Sequence, residues 1–263
     1  VLSPAIPISR ELLFALGSRL KHRGPDGEGV WLDHGRRVGM AHRRLSIVDL
    51  TLAASQPMVS ERSGGVLAFN GEIYNYIELR SQLKELGHHF KGTGDTEVLL
   101  RALEVWGAGA LGKLNGMFAF TYWDPRSRSL LIARDRFGEK PLFIGRGELG
   151  VTVFASEMKA ILAHPQMRVS EDLTSLDRYT RGDWFEDDEA TFFRSVSRFP
   201  PAHAALFASD GVEKERWRYW TPDYESIDSN LSVDAAVQQF GELFRESVNL
   251  RLRSDVAVGS SLS

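Results

Sequence analysis

Cysteine is absent from all 263 residues. Its absence excludes disulfides, thiolate metal sites and a cysteine nucleophile within the sequence. Long apolar runs are missing as well, and none approaches the roughly 20 residues that a bilayer-spanning helix needs. The opening, Val1-Leu2-Ser3-Pro4-Ala5-Ile6-Pro7, lacks the charged and apolar regions of a signal peptide. Positive charge is not in excess: the formal net charge is −3, so no basic stripe supports binding to nucleic acid. The expectation is a cytoplasmic protein whose partners are neither membranes nor nucleic acids. Apolar residues at 43% and charged residues at 25% are those of a globular protein, and the length admits one large domain or two smaller ones.

The chain reads as blocks of strands and helices rather than strict alternation, which predicts an α+β fold. Ser9 caps a helix whose apolar stripe is Leu12, Leu13, Leu16 and Leu20. The Gly and Pro of His22-Arg23-Gly24-Pro25-Asp26-Gly27 stop it. Gly29–Leu32 and Val38–Ala41 read as paired strands, followed by His42-Arg43-Arg44-Leu45-Ser46-Ile47-Val48-Asp49 and the connector Gln56-Pro57-Met58. The apolar run Val66–Phe69 is expected to end at Asn70-Gly71-Glu72, with a helix from Ile73 to Leu86. His88-His89 are expected in a strand, pointing to opposite faces, and so form a poor metal site. Thr93 or Asp95 would cap the helix Glu97–Trp106.

Gly116–Asp124 and Leu130–Asp135, apolar on both faces, predict a central hairpin covered from two sides. A strand at Val151–Glu157, short helices at 158–162 and 172–179, and a hairpin from Ala204–Phe207 and Glu215–Trp220 follow. Thr221 to Asn230 is polar, acidic and proline-bearing, the composition of a linker. Beyond it, Ser232 caps a helix to Leu252, and a strand is expected at Asp255–Gly259. About thirty residues cannot bury a core of their own.

Three positions admit two readings each. Asn70-Gly71 is a strong turn signal, or a pair of donors held at a strand end that can stabilise an oxyanion. Arg44 is a snorkelling side chain, or a fork that clamps a carboxylate. Asp95 is an ordinary acidic residue at a helix start, or a partner for a cation.

Taken together, these stretches resemble the class II glutamine amidotransferases, and within them the asparagine synthetase family. The residues that carry the resemblance are His22–Gly27, His42–Asp49, Gln56-Pro57-Met58, Asn70-Gly71-Glu72-Ile73-Tyr74-Asn75 and Gly94-Asp95-Thr96-Glu97. Arg134-Asp135-Arg136-Phe137-Gly138-Glu139-Lys140-Pro141-Leu142 and Phe154–Ala160 complete the set. Their order over the first ~160 residues makes chance agreement negligible. The tail Ser254–Ser263 resembles the lead-in to the family's ATP pyrophosphatase loop. The resemblance implies a four-layer αββα N-terminal-nucleophile hydrolase sandwich over residues 1–220. A linker over 221–230 and the truncated start of an α/β synthetase domain over 231–263 would follow.

It also implies roles. Arg44 would pair with the α-carboxylate of glutamine, and Leu45, Ser46, Ile47 and Val48 would line that pocket. Asp95 would hold the substrate ammonium with Glu72 beside it. The Asn70 amide and the Gly71 N–H would form the oxyanion hole. Leu262 would touch ATP, whose phosphates carry Mg²⁺ in the complete synthetase domain; no protein-held metal is expected. The family's nucleophile is a cysteine at the mature N-terminus, with its own α-amino group as base. That cysteine is expected a few residues before Val1, so the sequence is read as lacking its first residues. The implied activity is glutamine hydrolysis, with the ammonia passed to aspartate activated by ATP. A homodimer is compatible with this reading. Two alternatives stand beside it: a related ligase that has lost its glutaminase, and a glutamine-binding module without catalysis.

Overall fold

Period-two alternation along four neighbouring strands builds the centre of the molecule. The computed structural model describes residues 1–183, 189–224 and 231–259. Strand β4 (Val66–Ile73) pairs with β5 (Gly116–Asp124), β5 with β6 (Ser129–Arg134), and β6 with β10 (His203–Ala208), all antiparallel. β3 (Met58–Val59) and β11 (Glu213–Arg218) close the two edges, giving a six-stranded sheet in the order β11-β10-β6-β5-β4-β3. Leu67, Phe69, Phe118, Phe120, Leu131 and Ala204 lie in one apolar core. Their sequence neighbours Val66, Ala119, Leu130, Ile132 and Ala205 lie in another. Successive side chains of a strand face opposite ways, so this sheet is buried on both faces, as the doubly apolar sequence of β5 and β6 predicts.

A second sheet layer consists of two pieces. β1 (Gly27–Leu32) pairs with β2 (Gly39–Arg44), and β7 (Phe143–Arg146) pairs with both β8 (Thr152–Ala155) and β9 (Val196–Arg198). Leu2 bridges to Val38 on one side and Thr152 on the other, so the first residues join the pieces into one layer. Helices α1 (Arg10–Ser18) and α4 (Met158–Leu162) cover its outer face, and α2 (Tyr76–Glu85) and α3 (Asp95–Trp106) cover the large sheet. The result is the expected αββα stack. Leu2, Val38 and Met40 meet Trp123, Leu130 and Phe207 between the sheets, and Ile161 of α4 packs with Val151, Val153 and Met167.

Several local expectations are corrected. β4 does not stop at Asn70: its ladder continues through Gly71↔Phe118 to Ile73↔Gly116, and α2 begins only at Tyr76. The strand can continue because Gly71 has no side chain; a Cβ there would lie 2.1 Å from the Met117 carbonyl oxygen. Neither Thr93 nor Asp95 caps α3, whose cap residue is Gly94 and makes no side-chain cap bond. His88 and His89 lie in the loop after α2 rather than in a strand. The helix expected at 172–179 is α5 (Leu173–Thr180), which Asp172 caps from outside rather than beginning.

Ser232 accepts a hydrogen bond from the Ala235 N–H and caps α6 (Val233–Arg251), as expected. The strand expected at Asp255–Gly259 is not formed; the segment has no ladder partner among the described residues, and Asp255 bonds to a distant loop instead. Leu262 and most of the expected linker lie outside the described residues. No described helix is long and apolar enough to cross a membrane.

Candidate functional site

A cavity of about 290 Å³ opens where β2, the open edge of β4 and the N-terminus of α3 converge. Arg44, Leu45, Ile47, Val48, Asn70, Gly71, Glu72 and Asp95 all line it, from segments up to 51 residues apart in sequence. Ser46 is not among the lining residues; its N–H donates to Asp26 Oδ2 at 2.9 Å, which ties the loop to the turn before β1.

Arg44 is the last residue of β2. Its Nη1 donates to the Thr51 carbonyl at 2.9 Å and its Nη2 to the Asp49 carbonyl. Two of the five guanidinium N–H groups thus hold the following loop in an arch, leaving three for a ligand. Asp49 locks the other side of that arch. Its Oδ1 accepts from the N–H and hydroxyl of Thr51, and its Oδ2 from the N–H groups of Thr93 and Gly94 at 2.8 and 3.2 Å. Burial works to raise the Asp49 pKa, but these donors prevail and hold it below the usual carboxylate range. Asp49 has φ +56°, a cost borne at a position fixed from several directions. The carboxylate therefore connects the loop of Arg44 to the turn that presents Asp95. Sequence reading saw Asp49 only as the end of a motif. The signal was available in Gly92-Thr93-Gly94-Asp95, whose glycines leave room for it.

On the edge of β4 the N–H groups of alternate residues point outward together. The Phe69 N–H donates to Gln56 Oε1 at 2.7 Å and the Ile73 N–H to Asp95 Oδ2 at 2.9 Å. The Gly71 N–H faces the same edge between them, at the cavity wall. Beside it, the Asn70 Nδ2 is buried and has no hydrogen-bond partner. An unsatisfied buried amide costs roughly 1–3 kcal/mol, and a ligand oxygen would recover it. The turn reading of Asn70-Gly71 is replaced by two donors on a straight strand.

Asp95, the first residue of α3, is buried at 5% exposure. Burial, opposed by the Ile73 N–H and reinforced by the charge of Glu72, pushes its pKa up to about 6. Glu72 is raised as well by burial, with Lys140 opposing. Two carboxylates held in a cavity at such cost favour a cation between them. His42, which sequence reading gave no role of its own, also lines the cavity. Its Nε2 meets the Phe69 carbonyl oxygen at 3.0 Å, its Nδ1 is unpartnered, and burial lowers its pKa to about 4. The ring is neutral at physiological pH.

The remaining motifs hold these walls in place. Asp135 is fully buried and its carboxylate accepts from the N–H groups of Phe118, Phe137, Glu139 and Lys140 at 2.9–3.2 Å. Arg134 donates to the carbonyls of Lys140, Phe199 and Gly138 at 2.7 Å each. Together they fold the loop that brings Lys140 to the cavity. Across the layer, Glu157 bonds His22 at 2.8 Å and Arg23 at 3.2 Å and pairs with Lys159, joining the turn before β1 to α4. Val1 also lines the cavity, its carbonyl accepting from the Gly39 N–H at 3.0 Å.

The site can therefore grip a carboxylate at one end and an ammonium at the other, with two donors placed for an oxygen between. Residues 6–220 match the family described as "Glutamine amidotransferase domain". Over 246 residues the chain is 39% identical to asparagine synthetase [glutamine-hydrolyzing] 3 of Bacillus subtilis, covering 93% of this chain and 39% of that protein. It is 36% identical over 253 residues to asparagine synthetase [glutamine-hydrolyzing] 1 of the same organism, covering 96% and 39%. Amidase chry2 of Gibberella zeae is 33% identical over 249 residues, covering 93% and 36%. The chain thus spans well under half the length of these relatives. Among solved structures, glutamine phosphoribosylpyrophosphate amidotransferase from B. subtilis superposes with a TM-score of 0.59 at 18% identity, covering 82% of this chain and 48% of that one. That likeness bears on the fold alone.

Proposed function

This chain belongs to the glutamine amidotransferase domain family, of the kind found in glutamine-hydrolysing asparagine synthetases, and from that premise we propose how its cavity is used. Glutamine enters with its α-carboxylate on the free N–H groups of Arg44 and its α-ammonium between Asp95 and Glu72. Leu45, Ile47 and Val48 enclose the methylenes. The side-chain carbonyl then faces the Asn70 Nδ2 and the Gly71 N–H. The observation that carries this reading is the buried, unpartnered Asn70 amide, in the same cavity as Arg44 and Asp95.

Val1 lines the cavity; the nucleophile in this reading is the family's cysteine, which these residues do not include. Its thiolate attacks the amide carbon, and the oxyanion that forms takes hydrogen bonds from Asn70 and Gly71. Donors fixed in advance need no reorganisation as charge develops. Collapse of the tetrahedral intermediate expels ammonia, its proton coming from the base that took the thiol proton. Water then releases glutamate from the thioester by the same route. The neutral His42 ring beside Phe69 adds no positive charge to compete with Arg44 for the carboxylate.

The whole protein would use the ammonia to amidate aspartate in the cytoplasm, with ATP and Mg²⁺ supplying the activation in the part beyond these residues. Leu262, proposed for nucleotide contact, lies outside the described residues, and no described residue is assigned to ATP. The test is glutamine-dependent ammonia release by the full-length protein, with calorimetry for glutamine. Ammonia release that falls on Asn70→Ala, and glutamine binding that falls on Arg44→Ala, supports the reading. Glutamine bound without ammonia release overturns the glutaminase assignment, and no binding overturns the pocket.

A further inference from the structure

The segment after α6 grips the cavity from outside the domain that forms it. Asp255 Oδ2 accepts the Asp49 N–H at 2.7 Å, and the Asp255 N–H donates to the Ile47 carbonyl at 3.0 Å. Two residues earlier, Arg253 donates to the Tyr74 carbonyl at 2.7 Å and forms a two-pronged pair with Glu78 at 2.6 Å. The Arg251 guanidinium lies over the Tyr74 ring, 4.7 Å from its centre. The strip therefore straddles two walls: the loop that follows Arg44, and the strand end and helix start that follow Asn70-Gly71-Glu72.

These contacts bridge 175 to 208 positions of sequence. Arg251 is the last residue of α6, a helix with no buried residue. The sheets and their cores are complete without Arg253 and Asp255, so the strip is not needed to build the pocket. It acts on the loop that the pocket uses. Asp49 is the meeting point, because its carbonyl holds Arg44, its carboxylate holds the turn before Asp95, and its N–H is held by Asp255.

We propose that Asp255 and Arg253 are positioning residues that fix the Arg44–Asp49 arch over the glutamine site, so that the segment beyond α6 sets glutamine affinity. This rests on the glutamine reading of the cavity. With the strip seated, Arg44 and the turn before Asp95 are braced together through Asp49. With it released, the arch keeps its internal bonds but loses its outer anchor, and ligand binding must order it.

The test uses full-length protein with Asp255→Ala, Asp255→Asn and Arg253→Ala, reading glutamine KM, kcat for ammonia release, and glutamine binding by calorimetry. Loss of one charge-assisted anchor is expected to raise KM and Kd roughly tenfold, with kcat changed less than about threefold. Asp255→Asn keeps an oxygen acceptor and should restore most of the affinity. Thermal melts of Asp255→Ala should fall only by what the Asp49 N–H left without its acceptor costs, since the cores are untouched. If Asp255→Ala binds glutamine as the parent does, or if kcat falls while KM holds, the proposal is overturned. If the parent itself neither binds nor hydrolyses glutamine, the reading of the cavity fails instead, a different outcome.

Discussion

The side chain of Asp49 lies so close to Gly94 that a Cβ on the glycine would sit 2.9 Å from the Asp49 Cβ. A similar Cβ on Gly92 would meet Asp49 Oδ2 at 2.5 Å. The glycines flanking Thr93 are therefore the space into which the Asp49 carboxylate docks, and through that docking the two ends of the ligand cavity share one brace.

The first prediction follows from that contact. Gly94→Ala should push Asp49 off the Thr93 and Gly94 N–H groups, costing roughly 1–3 kcal/mol of stability for the buried donors left unpaired, and weaken glutamine binding. Gly112→Ala is the control, because a Cβ there meets nothing within 4 Å; it should be neutral. Denaturant midpoints of the two variants decide it, and equal midpoints would refute the docking argument.

Asp95 should show a trade between stability and binding. Its folded pKa, about 6, lies above the ordinary aspartate value, so between those values the folded state holds the proton that the unfolded state has lost. Stability then falls as pH rises through this window, and the cost is fully present above about pH 6. Two units correspond to about 3 kcal/mol. Asp95→Asn is expected to raise the denaturation midpoint at pH 7.5, to change it little below about pH 4, and to abolish glutamine binding. Melts across pH 4–8 measure the first effect and calorimetry the second.

The same titration governs the parent's kinetics. If the ionised Asp95 holds the substrate ammonium, kcat/KM for glutamine should fall as pH drops through about 6, since that ratio reports groups of the free enzyme. A pH profile of ammonia release flat from 5 to 8 would remove Asp95 from that role.

Asn70→Ala should lower kcat by about a hundredfold or more with a much smaller change in KM, because the amide is called on only as the oxyanion forms. Its removal leaves no partner orphaned, since Nδ2 has none, so the melting temperature should not fall. A proportional loss of stability would mean that Asn70 serves the fold.

Asp135→Asn offers a purely structural counterpart. The buried carboxylate takes four N–H donors, and an amide can accept at only one of its two ends. A loss of roughly 3 kcal/mol or more is expected from the donors turned away, read as a lower urea midpoint, together with weaker glutamine binding as Lys140 moves.

Much of the architecture was legible in the chain because apolar alternation is a local property with a global meaning. The run Phe118-Ala119-Phe120-Thr121-Tyr122-Trp123 announces a strand covered on both faces, and the caps Ser9 and Ser232 announce their helices. Family resemblance supplied Arg44, Asn70, Gly71, Glu72 and Asp95, and all five line one cavity. Where local reading failed, a distant partner had overridden a local preference. Asn70-Gly71 has the chemistry of a turn, yet Ala119 and Phe118 of β5 keep it in a strand. Asp255–Gly259 has the composition of a strand, yet among the described residues it finds no ladder.

The sequence by itself determined the period-two pattern, the helix starts and the family. Tertiary structure alone decided that Asp49 braces Arg44 against Asp95, that Asn70 carries an unspent donor, and that Asp255 reaches back to the arch. The reason is physical: hydrophobic periodicity is written between near neighbours, whereas a hydrogen bond across 206 residues exists only once the layers have packed and brought its two ends together.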